Sequence, residues 1–182
     1  KQLKSLSFSN VEILQDDLNS QLDDIGDPAR FEYLELSQCG ISILPEAVLK
    51  MINLKQLTLR GNQLSKLPAK LTALQQLKYL SLQDNRFTKL PEIIEKLKLL
   101  ESLDINGNKM SQLPLTLINL KKIKTLSLDS TLFEDFLKLC DKLESLTSAN
   151  FTGKKLPENA RKKLKAINKN IEMEFFGDDD DD

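Results

Sequence analysis

The chain has 182 residues and a formal net charge of −1, with 40% hydrophobic, 29% charged and 5% aromatic residues, which suits one soluble globular domain. It contains no histidine and no tryptophan, so Ser-His and Cys-His nucleophile pairs and most hydrolase chemistry are excluded. No apolar run approaches the roughly 20 residues of a membrane-spanning helix, and no membrane span is expected.

The chain begins with a predicted strand followed by a predicted helix. Leu6 and Phe8 alternate with serines, which is typical of a short half-buried strand. Apolar residues then recur at helical spacing and stop before Gly26-Asp27-Pro28, which ends helices readily. The residues that predict this helix are Leu14, Leu18, Leu22 and Ile25.

One pattern then repeats along the rest of the chain. Its clearest copy is Leu54-x-x-Leu57-x-Leu59-x-x-Asn62-x-Leu64. Five copies continue with Leu-Pro, and Val11, Cys39, Thr131 and Phe151 replace the asparagine in others. We expect frames to open at Leu3, Phe31, Leu54, Leu77, Leu100, Ile123 and Leu143, with a degenerate eighth near Ile167.

Each copy predicts a strand, a turn and a return segment. Leu57 and Leu59 point to one side of a strand and their neighbours to the other. Because all strands enter in the same direction, they should pair in parallel, with the asparagines stacked in a ladder and the prolines ending each strand. The convex return segments should form short helical or 3₁₀ turns.

These repeats resemble those of leucine-rich-repeat proteins of the roughly 23-residue class with Leu-Pro, of a bacterial or Ras-group-like intracellular type. The resemblance covers residues 3 to about 175. It implies an α/β solenoid, a curved horseshoe with a parallel sheet of about seven or eight strands on the concave face. We expect one domain over residues 1–176 and a disordered acidic tail over 177–182.

The outward strand positions predict a polar concave face without lysine. Tyr33 and Tyr79 occupy equivalent positions two repeats apart, with Arg60 nearby, and tyrosine and arginine are frequent in interface hot spots. They could equally be there because aromatic residues favour strands. The predicted binding residues, four of them acidic, are Tyr33, Glu35, Arg60, Tyr79, Asp84, Asp104 and Asp129. In the last full repeat Ser145, Thr147, Ala149 and Asn150 are expected on this face.

Three kinds of function remain open at this point. The favoured one is a non-enzymatic module that binds a protein with a basic or hydrogen-bonding surface, without a cofactor, metal or nucleic acid. An alternative is a structural protein whose ends associate, because Glu12–Asp27 is acidic and Lys154–Lys169 is basic. A glycosidase that uses Asp104 and Asp129 is the third, and it lacks an apolar wall.

Several properties are not decided by the residues. Cys39 and Cys140 lie four repeats apart, too far to pair, and are expected to fill the core. The chain should be a monomer with weak end-to-end association. It would be secreted or on the cell surface if an upstream signal peptide was removed, and otherwise cytoplasmic.

Overall fold

One parallel sheet runs through the molecule in the computed structural model, which describes residues 3–11 and 15–177. Its eight strands lie side by side in chain order, as a solenoid requires. The strands are β1 (Ser5–Ser9), β2 (Tyr33–Ser37), β3 (Gln56–Thr58), β4 (Tyr79–Ser81), β5 (Ser102–Asp104), β6 (Thr125–Asp129), β7 (Ser148–Thr152) and β8 (Glu172–Phe176). The predicted leucine-rich-repeat horseshoe is thereby confirmed.

Equivalent leucines stack as neighbours and form the core. Leu57 pairs with Leu34 on one side and with Leu80 on the other, and the row continues through Leu103 to Leu126. All five side chains are buried. Each repeat therefore buries its apolar face only by stacking on its neighbours, which is how solenoids obtain stability.

The asparagine of the repeat holds the turn after the strand. Asn62 Oδ1 accepts hydrogen bonds from Cys39 N at 3.1 Å and Ile41 N at 3.2 Å, and its Nδ2 donates to Leu36 O at 2.6 Å and Leu59 O at 2.9 Å. Asn85 and Asn108 make the same type of bonds one and two repeats further on. The ladder satisfies backbone groups that would otherwise be buried without partners.

Four consecutive 3₁₀ turns form the convex side, each directly after a proline. In each turn the proline carbonyl accepts from the third residue after it, as in Val48 N to Pro45 O at 3.1 Å. Proline suits this place because its fixed φ starts a turn. The prolines do not end the strands as expected, since β2 already ends at Ser37, well before Pro45. The turns are Glu46–Lys50, Ala69–Ala73, Glu92–Lys96 and Leu115–Asn119.

Three α-helices replace or extend this pattern towards the two ends. They are α1 (Gln15–Asp23), α2 (Phe133–Leu137) and α3 (Ala160–Ile167), and further 3₁₀ turns span Pro28–Arg30 and Ser130–Leu132. α1 is the helix expected in the long first repeat, and Leu18 and Leu22 are buried. Leu14 lies outside the described residues. Gly26 follows with φ +79°, a conformation that glycine adopts without strain.

The seventh repeat starts three residues later than the sequence pattern indicates. Ala149 pairs with Leu126 and is fully buried, so its prediction as a concave-face residue is wrong. Phe151 is a core residue of the strand, not a substitute for the turn asparagine, and packs edge-on against Phe133 and Phe136 with ring centroids 5.3 Å apart. In this strand Ala149 and Phe151 occupy the positions that two leucines hold in the neighbouring strand β6. The repeat begins at Leu146.

The remaining features of the chain fit the same picture. Cys39 and Cys140 are both free and buried. Within residues 3–11 and 15–177, none of the helices has the length and hydropathy of a bilayer-crossing segment. The five aspartates of the expected acidic tail lie outside the described residues, and the division into one domain and a tail stays a prediction.

Candidate functional site

The strand register places both tyrosines in one row on the concave face. Tyr33 pairs with Gln56, and Gln56 pairs with Tyr79. Neighbouring strands are about 4.8 Å apart, so the two tyrosine backbones are separated by about 10 Å. Tyr33 is 45% exposed, whereas Tyr79 is partly covered. This row has the geometry expected from the sequence.

Three of the predicted binding residues surround a single open concavity. It has a volume of about 400 Å³, and Glu35, Arg60 and Tyr79 line it together with serine, threonine, asparagine and glutamine side chains. A second concavity of about 210 Å³ adjoins it at Glu35 and is lined by Tyr33 and Gln56. Among the described residues that line the two concavities, Arg60 is the only cation.

Glu35 is held in place by two hydroxyl groups. Its Oε2 accepts a hydrogen bond from Ser7 Oγ at 2.9 Å, and its Oε1 accepts one from Ser37 Oγ at 3.1 Å. The Ser7 hydroxyl, aided by Ser37, lowers the pKa of the Glu35 carboxyl, because these bonds favour the charged form. Glu35 therefore presents an oriented negative charge at the border of both concavities.

Tyr79 and Arg60 supply a hydrogen-bond donor and a positive charge to the larger concavity. Burial raises the pKa of the Tyr79 hydroxyl, which therefore stays protonated at neutral pH and can donate a hydrogen bond. Arg60 Nε lies 3.4 Å from Asp84 Oδ2, and both side chains are about half exposed. This pair holds the guanidinium at the concavity that Tyr79 also lines, while leaving it open to a ligand.

Asp104 lies two strands from Arg60 and is partly desolvated. Burial raises the pKa of its carboxyl to about 6, and the nearby Asp84 and Asp129 act in the same direction. Its Oδ1 accepts from Asn106 N at 3.2 Å and from Asn106 Nδ2 at 2.7 Å. Asp104 is thus an acidic group that titrates closer to neutral pH than an ordinary aspartate.

Asp129 accepts hydrogen bonds from the backbone of the preceding repeat. Its Oδ1 accepts from Gly107 N at 3.0 Å and its Oδ2 from Asn108 N at 3.3 Å. Asp104 pairs with Ser127 and not with Asp129, so the backbones of the two acids are not one strand spacing apart, as the retaining-glycosidase alternative assumed. Both oxygens of Asp129 accept from turn backbone, so this carboxylate is placed to hold the turn.

Several serine and asparagine side chains on the concave side are less accessible than the strand alternation suggests. Ser37, Ser81 and Asn106 are only 8%, 2% and 7% exposed. Ser37 donates to Glu35, and Ser81 Oγ accepts from Gln83 N at 3.4 Å. The alternation indicates the correct side of the sheet, but larger neighbours on the curved surface cover these short side chains.

Four lysines of the repeats, Lys4, Lys55, Lys78 and Lys124, lie at the edge where the strands begin, each directly before a strand. Glu32 binds Lys4 and, at 2.5 Å, Lys55. Two lysines flank Glu101 in the same way, Lys78 at 3.3 Å and Lys124 at 2.6 Å. The pKa of Glu32 is lowered to about 2 by Lys4 and Lys55. These ladders keep positive charge beside the sheet and away from its concave face.

No metal-ligating cluster occurs in the part of the chain that the structure describes: no three Cys, Asp or Glu side chains are placed to share an ion. The site is therefore characterised by hydrogen-bonding groups, one aromatic row and a small number of charges. Such a surface can bind another molecule by complementarity.

Comparison with known proteins agrees with this architecture. A family model described as a leucine-rich repeat region matches residues 69–173. No curated protein sequence matches the chain. An LRR protein from Leptospira interrogans is similar in structure, with a TM-score of 0.62, 22% identity, and coverage of 94% of this chain and 48% of that protein.

An internalin from Listeria monocytogenes is also similar in structure. Its TM-score is 0.65 at 19% identity, and the match covers 99% of this chain and 48% of the internalin. The chain thus spans about half the length of the two solved structures, both of which are bacterial. At these identities the similarity concerns the fold.

Proposed function

The chain belongs to the leucine-rich-repeat proteins, and from this premise we propose that it is a non-enzymatic module that binds a protein partner on the concave face of its sheet. Leucine-rich repeats generally serve as interaction modules, which supports the general role. Function must still be argued from the site, because one scaffold carries many different surfaces.

The observation that carries the proposal is the concavity bordered by Glu35, Arg60 and Tyr79. Tyrosine and arginine provide contact area and hydrogen bonds at a low cost in side-chain entropy, and both are enriched in interface hot spots. Tyr33 extends this surface on the other side of Gln56. Asp84 and Asp104 add acidic groups, and Asp129 contributes mainly by shaping the turn next to them.

A partner with a basic, hydrogen-bonding surface fits this face best. The predicted binding residues carry four acids against Arg60, a sum of −3. The hydroxyl and amide groups between them provide donors and acceptors. Charge of opposite sign on the partner would speed association and favour the correct partner.

The test is a pull-down that compares the intact chain with a Tyr33→Ala/Tyr79→Ala variant. The variant should lose the bound protein, and Tyr79→Ala alone should weaken the measured affinity by about 2 kcal/mol with an almost unchanged melting temperature. Ile43→Ala/Leu115→Ala is the matched control, because it also removes two large exposed side chains. A partner retained by the tyrosine variant and lost by the control would overturn the proposal.

End-to-end association is a second candidate, favoured by the strand order. β1 and β8 are the two outer strands, so the acidic segment around α1 and the basic helix α3 lie at opposite ends of the solenoid. Opposite charges at the two ends would attract successive copies. Light scattering at low salt tests this: a molar mass independent of protein concentration would exclude it.

A further inference from the structure

Glu35 and Asp104 are two acids in one row of side chains across the sheet, the Glu35 row, which runs from Ser7 on β1 to Glu174 on β8. The register joins Glu35 to Thr58, Thr58 to Ser81 and Ser81 to Asp104. Three strand spacings of about 4.8 Å place the backbones of the two acids about 14 Å apart. Only hydroxyl side chains stand between them in the row.

Neither Glu35 nor Asp104 forms an ion pair with a lysine or arginine in the part of the chain that the structure describes. Within the described ranges, no lysine or arginine nitrogen lies within 4.0 Å of either carboxylate. Their hydrogen bonds come from neutral groups, Ser7 and Ser37 for Glu35 and Asn106 for Asp104. Such bonds orient a carboxylate without neutralising its charge.

Glu32 and Glu101, at the edge of the sheet, differ from Glu35 and Asp104 in this respect. Each of them binds two lysines at the edge of the sheet. Burial of Asp104 raises its pKa to about 6 although Arg60 acts in the opposite direction, and a cation in direct contact with the carboxylate would relieve that unfavourable environment. A positive group from another molecule therefore gains more binding free energy at Asp104 than at an acid that is already paired with lysine.

The centre of the face differs from the positions of the two acids. Arg60 carries the positive charge there and is paired with Asp84 at 3.4 Å, and Tyr79 lines the same concavity. A third cation placed over the centre would be repelled by the guanidinium. An uncharged side chain would instead contact the tyrosine ring.

We propose that the partner presents two basic side chains about 14 Å apart, one at Glu35 and one at Asp104, with an uncharged residue between them over Tyr79. This inference rests on the proposed concave-face binding and specifies its chemistry. An extended segment that crosses the strands meets the spacing with lysines or arginines four residues apart, since each residue advances the chain by about 3.3 Å. Residues four apart in an extended chain also point to the same side.

Two labelled nine-residue peptides of the same composition test the spacing. Both consist of serine and threonine with one central leucine and two lysines, placed four residues apart in one peptide and two in the other. In fluorescence anisotropy at pH 7.5 and low salt, the first should bind the intact chain at least fivefold more tightly. Glu35→Gln and Asp104→Asn should each weaken it about fivefold and remove the preference for that spacing, whereas Glu92→Gln, which changes an exposed acid outside the face, should have no effect.

The inference is overturned if the peptides do not bind, bind equally well, or bind the two acid variants as tightly as the intact chain. The Tyr33→Ala/Tyr79→Ala pull-down reports separately on the proposed function. If only the peptide result is negative, the partner still binds the concave face but not through two spaced cations. If the tyrosine variant also keeps its partner, concave-face binding itself is wrong.

Discussion

Asp129 accepts a hydrogen bond from the backbone N–H of Gly107, 3.0 Å away in the neighbouring repeat. The same carboxylate accepts from Asn108 N at 3.3 Å. An acid that the strand pattern places among the partner-binding residues therefore closes a turn of the scaffold. An acid on the concave face can therefore either bind a partner or stabilise a turn of the scaffold. Its hydrogen-bond partners show which of the two roles it has.

Asp129→Ala should lower the free energy of unfolding by about 1–2 kcal/mol, because two backbone donors lose a charged acceptor. Urea unfolding at pH 7 measures the change. Asp141→Ala serves as the control, since it also removes an exposed acid from the following segment and should change stability by less than about 0.5 kcal/mol. Equal stability of the two variants would contradict the assigned role.

Gly107→Ala should destabilise the fold by about 3 kcal/mol. Gly107 has φ +67°, and an added Cβ would overlap the Asp84 side chain, so backbone strain and overpacking combine. Gly153→Ala is the matched control: its φ is +98°, but the nearest atom to a Cβ, Ser130 Oγ, is 3.5 Å away. That variant should lose only about 1 kcal/mol.

Asp84→Gly should recover part of the Gly107→Ala loss, because it removes the side chain that the new methyl group meets. Asp84 has φ +54° itself, so glycine also relieves backbone strain there. A double-mutant cycle measured by urea unfolding separates the two effects, since strain relief alone adds independently. Strict additivity would show that the two residues do not interact in this way.

Asn62→Ala should cost about 3 kcal/mol or more. The substitution removes the bonds to Cys39 N, Ile41 N and Leu36 O, while Leu59 O keeps a bond from Asn85 Nδ2 at 2.8 Å. Each unsatisfied buried group costs about 1–3 kcal/mol before the structure relaxes. Asn119→Ala is the control, because its Nδ2 donates to a side chain, the partly exposed Glu95 carboxylate at 3.1 Å, and not to buried backbone. A loss below about 1 kcal/mol for Asn62→Ala would refute the structural role of the ladder.

Asp104→Asn should become progressively more stable than the intact chain as the pH rises from 4 to 7. The folded chain raises the pKa of Asp104 from 3.8 to about 6, so it binds the proton more tightly than the unfolded chain does. The stabilisation from this proton is present below about pH 3.8 and is lost as the pH rises through about 6. Urea unfolding at four pH values measures the difference in the free energy of unfolding between the variant and the intact chain. A difference that does not change with pH would contradict the prediction.

The repeat pattern predicted the fold because its physical cause is local. Alternating leucines define strands, a regular 23-residue recurrence makes successive strands equivalent, and Leu57 stacks on Leu80 as that equivalence requires. The row of Tyr33, Gln56 and Tyr79 follows from the same register. The pattern failed at the seventh repeat, where Ala149 and Phe151 occupy leucine positions and Leu143 imitates the start of a frame.

The composition and period of the sequence by themselves determined the solenoid, its parallel sheet and the side of the strands that faces outward. Only the tertiary structure decided what each outward group does: Asp129 binds a turn, Arg60 is paired with Asp84, and Glu35 and Asp104 accept hydrogen bonds from neutral groups. The physical reason is that strand alternation is a property of consecutive residues. Desolvation and hydrogen-bond partners depend on side chains that lie one or more repeats away.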